Sequence, residues 1–478
     1  MRSLRLSILP LFASITFACS SSDDGSQTFP PGTQPPGEET PATIEPKVHF
    51  FSERDGFATE IDSIVFSDQF ALVIDVPPKT ELTIVTHLYS PGRKGRGYTS
   101  KATFVADEKG VIDTHTMAPV RGDYRGVDPD GLVWSAKEGP LEEGLGPDRT
   151  AAFFELEVGD AKVGLATLKR TSTGPTVKVE GLDPKKTGVV GQLYMPQGAN
   201  DRVPIVAFGG SEGGIMGGSF YAMRLASYGH PVLALAYFGA PGVPSELEEI
   251  PLEYFGKAFT YLDGRPETRK GKAVVVGGSR GGELALLLGA TYPDRVAGVI
   301  ADTPSSHRWA GLSIKETKSA WTFEGTPLAF VPSAGGLPDT VPTPEGGSAW
   351  VLRSMFEKDL AAAASTDLDA ARIEVEKTNA PILMIGGGDD GMWPACDFMN
   401  RAMAKLTENG HVAKHGDEAV CFEKAGHSVS SVGLPTTDSM WAELGTEIYA
   451  LGGTAEANAH AAREGDRKVQ AFLRRVTK

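Results

Sequence analysis

The sequence predicts an α/β protein: a parallel sheet flanked by helices and preceded by a β-sandwich. Three observations carry that prediction. Beyond about residue 188, short apolar runs alternate with helix-forming stretches, as they do when parallel strands are joined by helical crossovers. Between about 58 and 180, alternating or β-branched runs are punctuated by Pro77-Pro78, Pro91-Gly92 and Glu108-Lys109-Gly110, as in short strands joined by turns. Finally, the β-branched run 273–276 passes through Gly277-Gly278-Ser279-Arg280-Gly281 into a helix-forming run, a sharp strand-to-helix turn with a serine at its apex.

Each segment is placed in order. Arg2 and Arg5 precede the apolar stretch 6–17, which ends at Ala18-Cys19, so residues 1–18 read as a secretory signal peptide. A cysteine at the cleavage point resembles a bacterial lipoprotein signal, with Thr16 where leucine is usual. The resemblance implies lipidation of Cys19, and Ser20 after it implies an outer-membrane destination. Residues 19–55 read as the lipidated cysteine and a tether, rich in Ser, Asp and Pro and unable to bury a core. The sandwich is placed at 56–182, with strands at 70–76, 81–86 and 161–168. The catalytic domain follows at 183–478, with strands near 189–195, 204–208, 232–236, 273–276, 296–301, 381–386 and 420–422 and helices such as 252–262 and 281–290. An aromatic-rich insert at about 305–365, with Trp309, Trp321, Phe323, Phe330, Trp350 and Phe356, is expected to cap the pocket, mainly as packing.

Composition narrows the function. The chain has 478 residues, 41% hydrophobic and 22% charged, which suits a globular protein of two or three domains. Its net charge of −15, without a basic stripe, argues against nucleic acid. Past the N-terminus no apolar run is long enough to span a bilayer, so membrane attachment is expected only through Cys19. Cys396 and Cys421 remain, and in an exported chain they could pair. There is no Cys-x-x-Cys spacing, and neither a metal nor a cofactor is expected.

The chemistry centres on Ser279. Two segments fit Gly-x-Ser-x-Gly, and their contexts separate them. Ser279 joins a strand directly to a helix, whereas Ser211 follows the run 203–208, and Gly214, Gly217 and Gly218 are expected to come before any helix. In an α/β-hydrolase the first arrangement is the nucleophile elbow, and a Gly-rich loop after an earlier strand supplies an oxyanion N–H. Ser279 is therefore the expected nucleophile, with the N–H groups of Arg280 and of Gly210 or Ser211 as the oxyanion hole. The acid should follow a later strand, and 381–385 leads into Gly386-Gly387-Gly388-Asp389-Asp390. Asp390 is preferred because it stands nearer the helix start at Trp393-Pro394; Asp389 is the alternative. His427, after the strand-like 420–422 and Ala425-Gly426, takes the place of the base. His411 and His415 lie in a polar stretch before that strand and read as solvated, and His460 falls in an Ala-rich helix.

These residues bring a family into view. The segment Gly122-Asp123-Tyr124-Arg125-Gly126-Val127, continuing to Gly131-Leu132-Val133-Trp134-Ser135, resembles the acyl-CoA thioester hydrolase and bile acid-CoA:amino acid N-acyltransferase family. So do Leu233–Tyr237, Leu252–Phe255, Gly433–Thr437 and Leu451–Thr454. The resemblance implies a thioesterase-like enzyme on a small acyl substrate. Serine at 279, where the N-acyltransferases carry cysteine, resembles the thioesterase branch. The signal sequence implies a compartment where coenzyme A thioesters are not expected, so the family's named substrate is not expected to carry over, and the expected bond is a carboxylic ester or thioester. The alternatives are an acyltransferase with an amine or alcohol acceptor and a non-catalytic binding lipoprotein. The sequence leaves oligomeric state open.

Overall fold

The computed structural model describes residues 44–89, 95–142, 145, 150–312, 317–344, 346–444 and 446–477. The expected signal peptide, Cys19 and most of the expected tether lie outside them.

Two layers make the sandwich, antiparallel except where β2 runs parallel to β10. One contains β1 (Lys47–Ser52), β3 (Phe70–Asp75) and β6 (Val111–Asp113). The other contains β2 (Ser63–Val65), β4 (Glu81–Tyr89), β5 (Arg96–Val105), β7 (Arg121–Gly122), β8 (Lys137–Pro140), β9 (Ala151–Val158) and β10 (Ala161–Thr171). Their facing side chains, among them Leu72, Ile74, Ile84, Phe104 and Phe154, form one core. The tether expected through residue 55 ends earlier, because β1 pairs with β3 along its whole length and Phe50 packs 5.4 Å from Phe154. Alternation in Lys-Val-His-Phe-Phe-Ser is too short to announce a strand; pairing with β3 is what buries it.

The second part is an eight-stranded sheet in the order β11 (Val177–Gly181), β12 (Val190–Pro196), β14 (Val232–Ala236), β13 (Ile205–Phe208), β16 (Ala273–Gly278), β17 (Val296–Asp302), β22 (Ile382–Gly387), β23 (Glu418–Phe422). From β14 to β23 every pairing is parallel, while β11 and β12 run antiparallel. This is the α/β-hydrolase arrangement that the elbow implied. Both faces are covered, which explains the continuous apolar runs. Val206, Phe208 and Val275 point to one core with α4 (Glu253–Asp263) and α5 (Arg280–Thr291). Ile205, Ala207, Val274 and Val276 point to the other, with α3 (Met216–Ser227) and α10 (Ala455–Val476). The short helix α1 (Gly131–Trp134) lies in the sandwich between β7 and β8, and α2 (Pro184–Thr187) connects β11 to β12. Sandwich and sheet belong to one compact unit beginning at Ile44.

The insert is more than a cap cut from 305–365. β18 (Trp321–Phe323) and β19 (Thr326–Pro327) join β15 (Ile250–Pro251). β20 (Asp339–Pro342) and β21 (Ser348–Val351) are completed by β24 (Trp441–Leu444) and β25 (Glu447–Ala450) from far along the chain. α6 (Arg353–Ala362) and α7 (Ser365–Ala371) follow, and Trp309, Phe356, Trp393 and Phe398 form a small core of their own. Beyond β22, α8 (Ala395–Glu408) is bonded to β23 by the disulfide Cys396–Cys421, with Cα atoms 5.7 Å apart. The two cysteines therefore do pair.

His411 departs from its expected solvated state. It begins the short α9 (His411–His415) and is buried. Its Nδ1 lies 2.6 Å from Asp417 Oδ2 and its Nε2 2.6 Å from the Thr378 carbonyl. The Thr378 carbonyl and an ionised Asp417 both accept, so this site favours the imidazolium, which donates from both ring nitrogens. Burial opposes the charge, but the bonds to Asp417 and Thr378 and the Asp417 charge outweigh it and raise the pKa. A folded pKa above the unfolded one adds stability that is complete below about pH 6.5 and lost as pH rises through the folded value. Urea midpoints are therefore expected to fall on the alkaline side of neutrality, with a shallower fall in His411→Gln. Equal slopes for the two proteins between pH 6 and 9 would refute this.

Candidate active site

The carboxyl ends of β13, β16, β22 and β23 meet along one edge of the sheet, where α/β proteins place their ligands. Ser279 leaves β16 with φ 58° and ψ −124°, a backbone strained for a residue with a side chain. The turn survives because its neighbours are glycines packed against the adjoining loop: a Cβ on Gly281 would lie 2.4 Å from the Gly209 carbonyl. Ser279 N–H donates to the Asp302 carbonyl at the end of β17, at 2.9 Å. Beneath the turn, buried Tyr221 donates to Asp302 Oδ2 at 2.6 Å, and burial raises the Asp302 carboxyl's pKa.

Of the two aspartates after β22, Asp390 is the one that meets the histidine. Its Oδ2 lies 2.7 Å from His427 Nδ1, while its Oδ1 accepts from the N–H groups of Met392 and Trp393 at 2.8 and 3.2 Å. The first contact faces the histidine and the second closes the turn Asp390–Trp393 that leads to α8. Asp389 turns away and accepts from Gly453 N–H at 3.1 Å. Asp390 is almost fully buried, and the Trp393 ring stands 6.0 Å from that of His427.

Sequence reasoning missed the groups that hold these two loops together. The Leu451 carbonyl accepts from Gly391 N–H at 3.1 Å and His427 N–H at 2.8 Å, pinning the acid loop and the histidine loop to one atom. Gly452 follows with φ 80°, where a Cβ would meet the Asp389 carbonyl at 1.9 Å. Asn458 Oδ1 accepts Gly426 N–H, and Arg353 of α6 donates to the Gly388 carbonyl, both at 2.8 Å. The one available signal was Leu451-Gly452-Gly453, noticed only as a point of resemblance.

The elbow helix is anchored through Arg280. Its buried guanidinium turns away to the carbonyls of Trp309 and Ala310 and to Glu283, which also accepts from Trp321 Nε1. Its backbone N–H opens α5, where no intrahelical acceptor exists. Gly210 lies against the elbow, since a Cβ built on it would be 3.0 Å from Ser279 Cβ. Its N–H, however, donates to the carboxylate of Glu212, so this candidate oxyanion donor is engaged within its own loop. Among the described residues no group of three or more His, Cys, Asp or Glu side chains could hold a metal.

Two family models match the chain. Residues 72–184 match the N-terminal region of acyl-CoA thioester hydrolase/BAAT proteins, and residues 250–478, which include Ser279, Asp390 and His427, match their C-terminal part. Human acyl-coenzyme A thioesterase 6 is 26% identical over 409 residues, covering 83% of this chain and 90% of that protein. Mouse acyl-coenzyme A amino acid N-acyltransferase 1 is 26% identical over 393 residues, covering 79% and 87%. Among solved structures, an esterase of Pyrobaculum calidifontis is 15% identical with a TM-score of 0.37, over 63% of this chain and 86% of that one. With both of its parts matched and similarity running through sandwich and catalytic sheet alike, the chain belongs to the acyl-CoA thioester hydrolase/bile acid-CoA:amino acid N-acyltransferase family.

Proposed function

We propose that the chain is an exported serine hydrolase that cleaves a small acyl ester or thioester through Ser279, His427 and Asp390. As a family member it is an enzyme acting on ester or thioester bonds. The observation that carries the finer reading is the 2.7 Å contact between Asp390 and His427 on the sheet edge that bears the strained Ser279. With Nδ1–H donated to Asp390, His427 keeps Nε2 as an acceptor for the serine proton. Ser279 Oγ then attacks the acyl carbonyl, and the oxyanion takes the N–H of Arg280 and a donor from the Gly210–Ser211 loop. His427 returns the proton to the leaving group, and water, activated the same way, releases the acid. Export and lipid attachment at Cys19 belong to the proposal and rest on the N-terminal sequence alone. Among the described residues no helix is long and apolar enough to cross a membrane.

A fluorophosphonate probe is expected to label Ser279, and p-nitrophenyl esters of graded length, assayed beside acyl-CoAs, to identify the acyl group. Folded protein that is never labelled would sink the reading. Added amine or alcohol acceptors that capture the acyl group would turn it into a transferase.

A further inference from the structure

A carboxylate stands where the developing oxyanion would need an empty donor. Glu212, two residues past Gly210, turns back on its own loop and accepts the Gly210 N–H with both oxygens, each at 3.0 Å. The slot that holds it is built from glycines. A Cβ on either Gly209 or Gly217 would meet Glu212 Oε1 at 2.1 Å, so a side chain at either position would expel the carboxylate. The slot adjoins the nucleophile, because the position a Gly210 Cβ would take is 3.0 Å from Ser279 Cβ and 3.3 Å from Glu212 Oε2. Below it, buried Tyr237 donates to the Gly209 carbonyl at 3.0 Å. Burial first and the Glu212 charge second hold that hydroxyl well above its ordinary pKa, so it remains a donor and fixes the loop.

Two consequences follow from elementary electrostatics. An N–H committed to a carboxylate is bound by a charge-assisted hydrogen bond and is not free for another anion. A negative charge left in the slot also repels negative charge forming on the acyl oxygen a few ångströms away. Glu212 is exposed, so its carboxylate has water to move into.

We propose that Glu212 is a displaceable guard of the oxyanion hole. It holds the Gly210 N–H between turnovers and exchanges places with the acyl oxygen, so that it sets the affinity of the site for tetrahedral anions. This rests on the serine-hydrolase reading above. Glu212 positions the loop donor and takes no proton in the reaction.

An arylboronic acid tests the exchange. Ser279 Oγ donates a lone pair to boron, its proton passes to His427, and the resulting negatively charged tetrahedral boronate presents one of its hydroxyl oxygens to the hole as an acceptor. Glu212→Ala is expected to bind the boronate about tenfold more tightly than wild type, the scale of one charge-assisted hydrogen bond no longer to be broken. Glu212→Gln, whose neutral amide still accepts the N–H, should fall between. Unchanged or weaker binding in Glu212→Ala would overturn the guard and leave Glu212 as a loop brace. Independently of any variant, the wild-type enzyme phosphorylated on Ser279 by a dialkyl 4-nitrophenyl phosphate, which releases 4-nitrophenol as the Oγ–P bond forms, is expected to show the Glu212 carboxylate out of hydrogen-bond reach of Gly210. A carboxylate still bonded there in the adduct would equally overturn it. Wild-type protein that neither binds boronate nor takes the phosphoryl group would defeat the hydrolase reading itself, and the guard with it.

Discussion

Asp390→Asn is expected to lower kcat on an activated ester by about 10⁴ while leaving the fold and its thermal midpoint nearly unchanged. The reason lies in how the two carboxylate oxygens are used. Oδ1 faces two backbone donors, the N–H groups of Met392 and Trp393. An asparagine must turn its carbonyl oxygen to that side, because its amide group would oppose both donors. The amide then faces His427 Nδ1, where Asp390 Oδ2 stands at 2.7 Å. Nδ1 must now accept, the ring proton moves to Nε2, and Nε2 can no longer take a proton from Ser279. The loop itself stays in place through Arg353 and the Leu451 carbonyl, which grip backbone atoms. Asp389→Asn is the control: its partner is the exposed-side Gly453 N–H, and it should cost less than tenfold. Steady-state rates of both variants, with circular dichroism melts, decide the matter. An Asp390→Asn enzyme keeping more than a tenth of wild-type kcat would remove Asp390 from the mechanism.

Legibility in the sequence followed the distance over which each feature is encoded. The elbow could be read because strand, glycines, serine and helix are consecutive. Five of the seven strands read in the catalytic domain, β13, β14, β16, β17 and β22, could be placed because strands covered on both faces are continuous apolar runs. Asp389 and Asp390 are adjacent and chemically alike, so only the turn into α8 favoured one. What could not be read depends on partners far along the chain. Leu451 acts through a carbonyl, which every residue has, and only the fold brings it to Gly391 and His427. His411 looks solvated until Asp417 and Thr378 enclose it. β20 and β21 gain their sheet from β24 and β25, about 90 residues away in sequence. Glu212 is a different case. It lies within the motif that was recognised, but nothing in Gly-Gly-Ser-Glu-Gly-Gly says that the carboxylate folds back on its own N–H.

The sandwich segment that first suggested the family is, in the structure, a fastener, and loosening it is expected to have the largest effect on stability. Asp130, at the start of α1, receives a two-pronged bond from Arg463 of α10: Nε to Oδ2 at 2.7 Å and Nη2 to Oδ1 at 2.9 Å. The third arm, Nη1, donates to the Ser67 carbonyl at 2.9 Å, and Gln69 also donates to Asp130. Beside this fork, Thr436 N–H donates to the Trp134 carbonyl and Thr437 Oγ1 to the Ala136 carbonyl, so the Gly433–Thr437 stretch closes on the same segment. Both partners of the fork are largely buried, with side-chain exposures of 10% and 16%. Burial alone would lower the arginine's pKa, but the Asp130 charge and hydrogen bonds outweigh it, so Arg463 stays ionised. Arg463→Met preserves the apolar stem but strands a carboxylate beneath α10, and removing one member of such a pair costs about 3–5 kcal/mol. The urea midpoint should drop accordingly, read at the sandwich as well as at the sheet. Adding Asp130→Asn to that variant should recover part of the loss, because the stranded charge is then gone. A midpoint unmoved by Arg463→Met would mean that the neighbouring backbone contacts alone hold the sandwich to the catalytic sheet.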